Sequence, residues 1–409
     1  MGEINHGDTA FILICAALVA LMTPGLAFFY GGLVRRRNFL SIMMQIFISM
    51  GVVTFIWGAV GYSLSFSGDN LHGLIGNLDW AFLKGVGEAP GPWAPTIPAV
   101  THFTYQEMFA IITPALITGA FADRVKFKSY LKFLALWSLL VYVPFTHWVW
   151  GGGFLAKWGA LDFAGGMVVH VSAGMAALAS VWVVGRRHFA PGERGIAHNI
   201  AFVGLGTALL WFGWFGFNGG SALAADGIAG MAFVNTDIAG SIAMCTWLFI
   251  TWKVDGHPSL IGAFTGAVAG LACVTPCAGY IPIWSAFIIG ILAGSVCYLA
   301  VRFVKYMQWD DALDVWAAHG VGGIMGSILL GVFATTAVNA AGADGLLAGN
   351  ARFFGVQVLA VVIIGAYSFI VTWLILKGIK IFEKVRVPDE LERMGLDKGE
   401  LGEEAYTFD

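Results

Sequence analysis

Charged residues are scarce in this chain: only 11% of its 409 residues are Asp, Glu, Lys or Arg, whereas 58% are hydrophobic. Soluble proteins carry about 25% charged residues, and the composition therefore excludes an ordinary soluble domain. The five cysteines form no CxxC pair and no cluster with histidine, so we predict neither a metal site nor a disulfide framework. No acid/base pair or nucleophile stands out, and we expect no enzyme, no cofactor and no nucleic-acid partner.

Long apolar segments fill most of the sequence. A membrane-spanning helix needs about 20 mostly apolar residues. Eleven segments approach or exceed that length, at roughly 8–34, 39–66, 102–122, 128–151, 162–185, 197–219, 236–252, 258–276, 281–304, 312–336 and 354–380. We therefore predict an all-α polytopic membrane protein with eleven transmembrane helices, surrounded by membrane lipid.

Lys and Arg residues are divided unevenly between the predicted loops. Those that follow odd-numbered helices include Arg35–Arg37 and Arg194, whereas the segments after even-numbered helices hold only Lys84, Lys157 and Arg352. Cytoplasmic loops carry the excess of Lys and Arg in membrane proteins. We therefore predict a multi-pass protein of the cytoplasmic membrane, with its N-terminus outside the cell and its C-terminus in the cytoplasm.

A change in composition divides the chain into a membrane domain, 1–380, and a charged cytoplasmic tail, 381–409. Without its last helix, 354–380, the membrane domain splits into two sets of five helices, at about 8–185 and 197–336. An odd number of helices in each set inverts the second set relative to the first, as in many transporters. We therefore predict a 5+5 inverted repeat with a peripheral eleventh helix.

His170 and His319 place ionisable side chains inside the predicted fifth and tenth helices. An intramembrane histidine is costly and is by default a candidate for function, although a hydrogen bond to a neighbouring helix is the alternative. Each histidine follows an aspartate, Asp162 or Asp314. The inverted repeat predicts that the two histidines approach each other near the midplane, where two neutral rings share one hydrogen. Two ligands alone make a poor metal site.

Aromatic residues cluster near the predicted outer ends of several helices. They are Phe109, Trp150, Trp214 and Phe217, and Ser221 follows the last of them. Aromatic faces aided by a hydroxyl hold a cation through cation–π attraction. The alternative is the belt of aromatic residues that membrane proteins carry at both interfaces.

Several segments resemble the ammonium transporter family (Amt/Mep/Rh), and specifically its bacterial and archaeal Amt branch. They include DFAGGMVVHVSAG (162–174), WFGWFGFNGGSA (211–222) and DDALDVWAAHGVGGIMGSILLGVF (310–333), and they occur in the family's order across nearly the whole chain. The resemblance implies a homotrimer of eleven-helix protomers. Each protomer has its own hydrophobic pore for ammonium or ammonia, with methylammonium as an analogue of the substrate.

The resemblance also implies functions for single residues near the outer mouth. Phe109, Trp150 and Ser221 match the site that recruits ammonium. Phe109 and Phe217 match a gate of stacked rings below that site. Tyr105 occupies a position at the mouth that Phe often fills.

Deeper in the pore, the resemblance implies that His170, His319 and Trp214 line the conduction path. Asp162 matches an acidic residue at the start of the fifth helix, and we interpret it mainly as a structural cap that the helix dipole favours, with an electrostatic pull on cations as its secondary role. Residues 381–409 resemble the C-terminal segment that helps to bind the trimeric PII (GlnK-type) signal protein at the inner mouth.

The implied mechanism is recruitment of the ammonium cation, loss of its proton at the phenylalanine gate and passage of ammonia along the two histidines. Two alternatives stay open. One is a neutral ammonia gas channel of the Rh type. The other is an ammonium sensor that signals through a PII-type partner, which a fused signalling domain would favour; this sequence contains no such segment.

Overall fold

The computed structural model describes residues 2–189 and 197–406. Arg194, one of the basic loop residues named above, and residues 407–409 of the tail lie outside the described residues. Within the described part, eleven α-helices have more than ten residues each. They are α1 His6–Leu33, α2 Phe39–Ile56, α3 Ala99–Ile117, α4 Phe127–Trp137, α5 Ser172–Val184, α6 Ile200–Gly219, α7 Gly227–Asp255, α8 Leu260–Val274, α9 Ile283–Tyr306, α10 Gly322–Phe333 and α11 Ala351–Phe382.

Smaller elements complete the fold. Strands β1, Pro90–Gly91, and β2, Ala94–Pro98, form an antiparallel pair in the loop before α3. A short helix in the tail, α12, covers Asp389–Met394. The described chain is therefore almost entirely helical, as the sequence predicts.

A π-helical turn adjoins four of the long helices. These turns are Trp57–Gly61 after α2, Ser138–Tyr142 after α4, Gly166–Val171 before α5 and Trp316–Val321 before α10. A π turn closes its hydrogen bonds over one residue more than an α turn and is frequent at functional sites. The last two turns contain His170 and His319, so the two histidines share an unusual backbone setting.

Nine helical segments in the described ranges are long and apolar enough to cross a membrane. The other two long helices are α8, which has 15 residues, and α3, which carries the polar side chains of His102, Gln106 and Glu107. The structure therefore shows an all-helical protein with many candidate spans. That all eleven helices cross the membrane stays a prediction.

When the adjoining π turns and short helices are counted with them, the long helices begin and end within about four residues of the predicted segments, except α7. This helix begins at Gly227, well before the predicted position 236. Asp226 caps it by accepting hydrogen bonds from the backbone N–H groups of Ile228 and Ala229. Glycines at positions 227 and 230 weaken the local helical signal, but the cap offsets their low propensity.

Helix α5 and the π turn before α10 cross where both contain glycine. A Cβ atom added to Gly174 would lie 2.1 Å from the Cα atom of Gly320, which no side chain tolerates. Small residues let two helices in a membrane approach this closely. Because His170 and His319 lie within about one turn of these glycines, the crossing brings the two histidines together.

The described part of the tail packs against the loops at one end of the bundle. Asp397 accepts hydrogen bonds from the backbone N–H groups of Leu40 and Ser41, and Glu400 accepts one from Phe127. A carboxylate is favoured at the N-terminus of α2 by the helix dipole. This part of the tail thus belongs to the folded protein and is not a freely solvated chain.

Candidate functional site

His170 and His319 lie side by side in the interior of the bundle. Their Nδ1 atoms are 3.2 Å apart, and their rings stack with 5.2 Å between centroids. The two side chains are 1% and 4% exposed. Only one of the two facing nitrogens can carry a hydrogen in such a contact. The ring that carries this hydrogen is the donor, and the other ring must accept it.

A narrow apolar cavity lies beside the two histidines. It is lined by both rings together with Trp214, Phe217 and Leu210, and its volume is about 10 Å³. That volume is close to the minimum that admits one water molecule. The Nε2 atom of His170 is buried and has no hydrogen-bond partner among the described residues. The passage therefore admits a molecule of about the size of water and offers it little polar compensation.

Trp214 is held firmly in this passage. Its indole Nε1 donates a hydrogen bond of 2.9 Å to the hydroxyl of Thr275, and its ring stacks on His170 with 5.5 Å between centroids. The hydrogen bond satisfies the one polar group of the indole. Trp214 thus presents an apolar ring to the passage.

Phe109 and Phe217 separate this passage from a wider cavity above it. Their ring centroids are 4.2 Å apart, and each side chain is 1% exposed. Phe109 lines the wider cavity and Phe217 lines the narrow one. The two rings therefore form the wall between the cavities.

The wider cavity has a volume of about 430 Å³ and is lined by Phe109, Trp150 and Ser221. The ring of Trp150 stands perpendicular to that of Phe109, with 6.0 Å between centroids. The Ser221 hydroxyl donates a hydrogen bond of 2.9 Å to the carbonyl of Phe217 and lies 3.2 Å from the Tyr105 hydroxyl. The structure thus brings two aromatic faces and a hydroxyl to one cavity.

Asp162 lies at the edge of this cavity and holds the start of the helical turn before α5. Its carboxylate accepts four hydrogen bonds of 2.6–3.0 Å, from the backbone N–H groups of Gly165, Gly166, Met167 and Val168. The helix dipole and these charge-assisted bonds favour the ionised form. The helical turn begins at Gly166, later than the predicted start at 162, because the intervening residues form the loop that wraps the carboxylate.

Asp311, and not Asp314, occupies the corresponding place before α10. Its Oδ2 atom accepts a hydrogen bond of 2.7 Å from the backbone N–H of Trp316. Asp311 precedes His319 by eight residues, just as Asp162 precedes His170. The pairing of Asp314 with Asp162 in the sequence is therefore wrong. The equal spacing is the signal that identifies Asp311.

A third cavity, of about 300 Å³, lies on the other side of His319. Asp310, Asp311 and Asp314 line it with Lys305 and His319. The Oδ1 atom of Asp311 is buried and has no partner among residues 2–189 and 197–406. The narrow apolar cavity thus lies between these two wide polar cavities, with the Phe109 and Phe217 rings on one side of it and His319 on the other.

Ion pairs fix the loops around this third cavity. Arg187 and Asp310 are 2.7 Å apart, and Arg35 and Asp123 are 3.0 Å apart. Burial alone would raise the pKa of Asp310, but the hydrogen bonds and charge of Arg187, with the charge of Arg124, outweigh burial and lower this pKa to about 2. The Asp310 carboxylate is therefore ionised at every physiological pH.

Sequence reasoning did not identify Thr275 or give Tyr105 a function. Tyr105 donates a hydrogen bond of 2.8 Å to the carbonyl of Phe217, and Thr275 accepts the one from Trp214. Both contacts join residues that are distant in sequence. No local pattern signals such contacts.

The arrangement of two wide cavities and a narrow apolar passage inside a bundle of apolar helices defines a class of protein: a membrane channel or transporter for a small solute. Comparison with known proteins then gives the family. Residues 10–406 match the Ammonium Transporter Family, so the chain belongs to the ammonium transporter family. It is a transport protein and not an enzyme.

Individual relatives are similar over nearly their whole length. The chain is 47% identical over 401 residues to the ammonium transporter of Bacillus subtilis, with 98% of each protein covered. It is 45% identical over 404 residues to ammonium transporter Amt1 of Archaeoglobus fulgidus, with 98% of this chain and 100% of the relative covered. These similarities confirm the Amt branch that the motifs indicate.

A solved structure shares the fold. The crystal structure of Candida albicans Mep2 is similar with a TM-score of 0.89 at 36% sequence identity. The match covers 95% of this chain and 88% of that one. The chain is therefore a multi-pass membrane protein of a family that transports ammonium.

Proposed function

We propose that each protomer carries ammonium in three steps: recruitment at the outer cavity, loss of a proton at the phenylalanine pair and passage of ammonia along the two histidines. This proposal rests on the order in which the outer cavity, the two phenylalanine rings and the two histidines follow one another through the bundle. The cavity with Trp150 and Ser221 comes first, the rings of Phe109 and Phe217 follow, and the histidines come last.

Recruitment uses the faces of Trp150 and Phe109 and the hydroxyl of Ser221. Aromatic faces attract a cation by about 2 kcal/mol or more when water is displaced. The Ser221 hydroxyl donates its hydrogen to the Phe217 carbonyl, so its oxygen is free to accept one from the ammonium ion. This combination selects a small cation that donates hydrogen bonds, and it admits methylammonium as an analogue.

The proton leaves at the phenylalanine pair because the next cavity does not hold an ion. A passage of about 10 Å³ leaves no room for a hydration shell, and burial of an uncompensated charge is very costly. Neutral ammonia avoids most of this cost. The lining by Phe217, Trp214 and Leu210 therefore favours ammonia over the ion.

The histidine pair then guides ammonia and has the chemistry to relay the proton. Ammonia donates and accepts hydrogen bonds, and the unpartnered Nε2 of His170 offers a contact in the passage. A proton that crosses through the pair makes transport electrogenic. A proton that returns to the outside makes it a neutral flux of ammonia, as in a Rh-type gas channel.

The architecture that accompanies this function has eleven transmembrane helices in the membrane domain, 1–380, in a 5+5 inverted repeat with a peripheral eleventh helix. The equal Asp–His spacing and the two π turns before α5 and α10 support the repeat. The uneven distribution of basic residues supports an N-terminus outside the cell and a tail, 381–409, in the cytoplasm. Three protomers form a homotrimer in the cytoplasmic membrane.

A PII (GlnK-type) signal protein binds at the cytoplasmic face in this proposal. The tail supports such a partner because it packs close to the inner cavity. The Glu392 carboxylate accepts a hydrogen bond from the backbone N–H of His188, and Arg187, the preceding residue, pairs with Asp310. A partner that moves the tail therefore also moves the edge of the cavity.

Ammonium-jump electrophysiology on proteoliposomes that contain the purified protein alone tests the proposal. We expect a saturable, ammonium-dependent current, with pH recording in the lumen as a second signal. Uptake without current would contradict the proton relay and would indicate a neutral flux of ammonia, as in a gas channel. An absence of both current and uptake, with tight binding of ammonium, would overturn transport and favour a sensor.

A further inference from the structure

The outer cavity extends beyond the recruitment residues Trp150 and Ser221. His102, Phe66 and Trp93 also line it, and the three steps proposed above use none of them. The volume of about 430 Å³ is far above the 10–15 Å³, approximately, that admits one water molecule. The cavity therefore has room for an ion at the recruitment residues and for a second ion beside His102.

His102 lies at the end of the cavity that is remote from the gate. It is in the first turn of α3, which begins at Ala99, and Phe109 is seven residues further along the helix. This separation is about 10 Å at 1.5 Å per residue. His102, Gln106 and Phe109 have the spacing of one helix face, and all three line the cavity. This face of α3 therefore leads from the mouth to the gate.

The His102 ring has one nitrogen fixed and one nitrogen available. Its Nδ1 atom lies 3.0 Å from the hydroxyl of Tyr62, which is not among the described residues that line the cavity. Tyr62 is the one hydrogen-bond partner of this ring within residues 2–189 and 197–406. A neutral imidazole donates through one nitrogen and accepts through the other. When Nδ1 donates to Tyr62, Nε2 is left as an acceptor for a donor in the cavity.

Phe66 and Trp93 supply aromatic faces beside this acceptor. The Phe66 ring stands perpendicular to the His102 ring with 4.9 Å between centroids, and the Trp93 ring follows with 5.9 Å between its centroid and that of Phe66. The indole Nε1 of Trp93 donates a hydrogen bond of 2.7 Å to the Phe66 carbonyl, which satisfies its one polar group. The three rings are therefore held together at one end of the cavity.

The charge of the cavity lining favours a cation. Asp162 is the one acidic residue among the described residues that line it, and no Lys or Arg is among them. Aromatic faces also attract cations. A small cation that donates hydrogen bonds therefore matches the three rings, because it uses both the faces and the nitrogen acceptor.

We propose that His102, Phe66 and Trp93 form a second ammonium-binding site, the mouth site, which holds the ion before it reaches Trp150 and Ser221. The ion donates one hydrogen bond to Nε2 of His102 and lies against the faces of Phe66 and Trp93. The mouth site thus raises the local concentration of ammonium about 10 Å outward from the gate. This inference rests on the proposed recruitment of ammonium and adds an earlier stage to it.

Ammonium-jump currents of the full-length protein in proteoliposomes test the mouth site. His102→Phe keeps an aromatic ring and removes the acceptor. We expect the half-saturating ammonium concentration to rise about threefold or more, because a hydrogen bond to a charged group is lost. The maximal current is expected to stay as in the wild type, because the mouth site supplies ions and is not part of the narrow passage.

Thr104→Ala is the matched control on the same turn of α3. The Thr104 hydroxyl donates to the carbonyl of Val100 in its own helix, and Thr104 is not among the described residues that line the cavity. We expect this variant to keep both the half-saturating concentration and the maximal current of the wild type.

Trp93→Leu is a second variant, which changes the loop between β1 and β2 and leaves α3 intact. We expect it to raise the half-saturating concentration in the same way, and the double variant with His102→Phe to raise it little further, because the two side chains serve one ion. An unchanged half-saturating concentration in both single variants would overturn the mouth site. A fall in maximal current alone would also overturn it, since that result indicates a structural role.

A direct measurement of binding separates the mouth site from the proposed function. Crystals of the wild-type protein are soaked in thallium(I), a monovalent cation of similar size to ammonium that scatters anomalously. We expect two peaks in the outer cavity, one beside Trp150 and one beside His102, and loss of the second peak in His102→Phe. A single peak beside Trp150 would refute the mouth site even if the wild type carries ammonium. Two peaks without any ammonium current would keep the mouth site and contradict the proposed transport.

Discussion

The Nδ1 atoms of His170 and His319 face each other at 3.2 Å, so neither ring can be replaced without changing the hydrogen bond of the other. The contact arises because α5 crosses the π turn before α10 at Gly174 and Gly320. The two histidines therefore form one unit within the passage.

Replacing His170 by Ala breaks this unit and leaves His319 with an unpaired buried nitrogen. We expect ammonium-induced current in proteoliposomes to fall about tenfold or more, or to lose its selectivity over potassium, because a tenfold change requires only about 1.4 kcal/mol. His319→Ala is the matched variant. Wild-type, selective current in both single variants would contradict the relay.

Replacing Trp150 by Leu removes one aromatic face from the outer cavity and adds room. We expect a higher flux of methylammonium and weaker discrimination between methylammonium and ammonium, because cation–π attraction is lost. The measurement is competition between the two cations in a current assay. If their competition stays as in the wild type, Trp150 does not contribute to an outer selectivity site.

Replacing Asp162 by Ala leaves four buried backbone N–H groups without their acceptor. Loss of charge-assisted hydrogen bonds costs about 1.5–3 kcal/mol each before relaxation, so we expect a lower melting temperature in detergent together with lower transport. Asp226→Ala is the control, since it removes an exposed cap with two acceptor contacts and costs only about 1 kcal/mol. Equal melting temperatures for the two variants would refute the capping role of Asp162.

The Arg187–Asp310 pair makes stability depend on pH. The pKa of Asp310 is about 2 in the folded protein, below its ordinary value of 3.8, so the pair stabilises the fold above about pH 4 and this contribution is lost as the pH falls towards 2. A shift of this size corresponds to about 2 kcal/mol. We expect Asp310→Asn to lower the melting temperature at pH 7 and to match the wild type near pH 2. A difference that persists at low pH would assign the effect to packing.

The family and the separate residues of the pathway were accessible from sequence because intramembrane histidines and specific motifs stand out against apolar helices. The contacts between these residues were not accessible from sequence. Tyr105 hydrogen-bonds to Phe217, and Trp214 to Thr275, across residues far apart in the chain. The start of α7 and the π turns depend on capping and packing, which local propensity does not report. Asp311 was not identified from sequence, because proximity in sequence does not show which loop carboxylate folds back onto the start of the helix.

The π turns before α5 and α10 have a consequence for how this protein tolerates changes in length. Each turn holds one residue more than an α-helical turn would. Loss of one residue there lets the flanking helix keep its register, while residues inside the turn change direction by about 100°. A single-codon deletion at Val168 or Ala317 would therefore preserve the fold and redirect the histidine away from its partner, an outcome that substitution at the same positions does not produce.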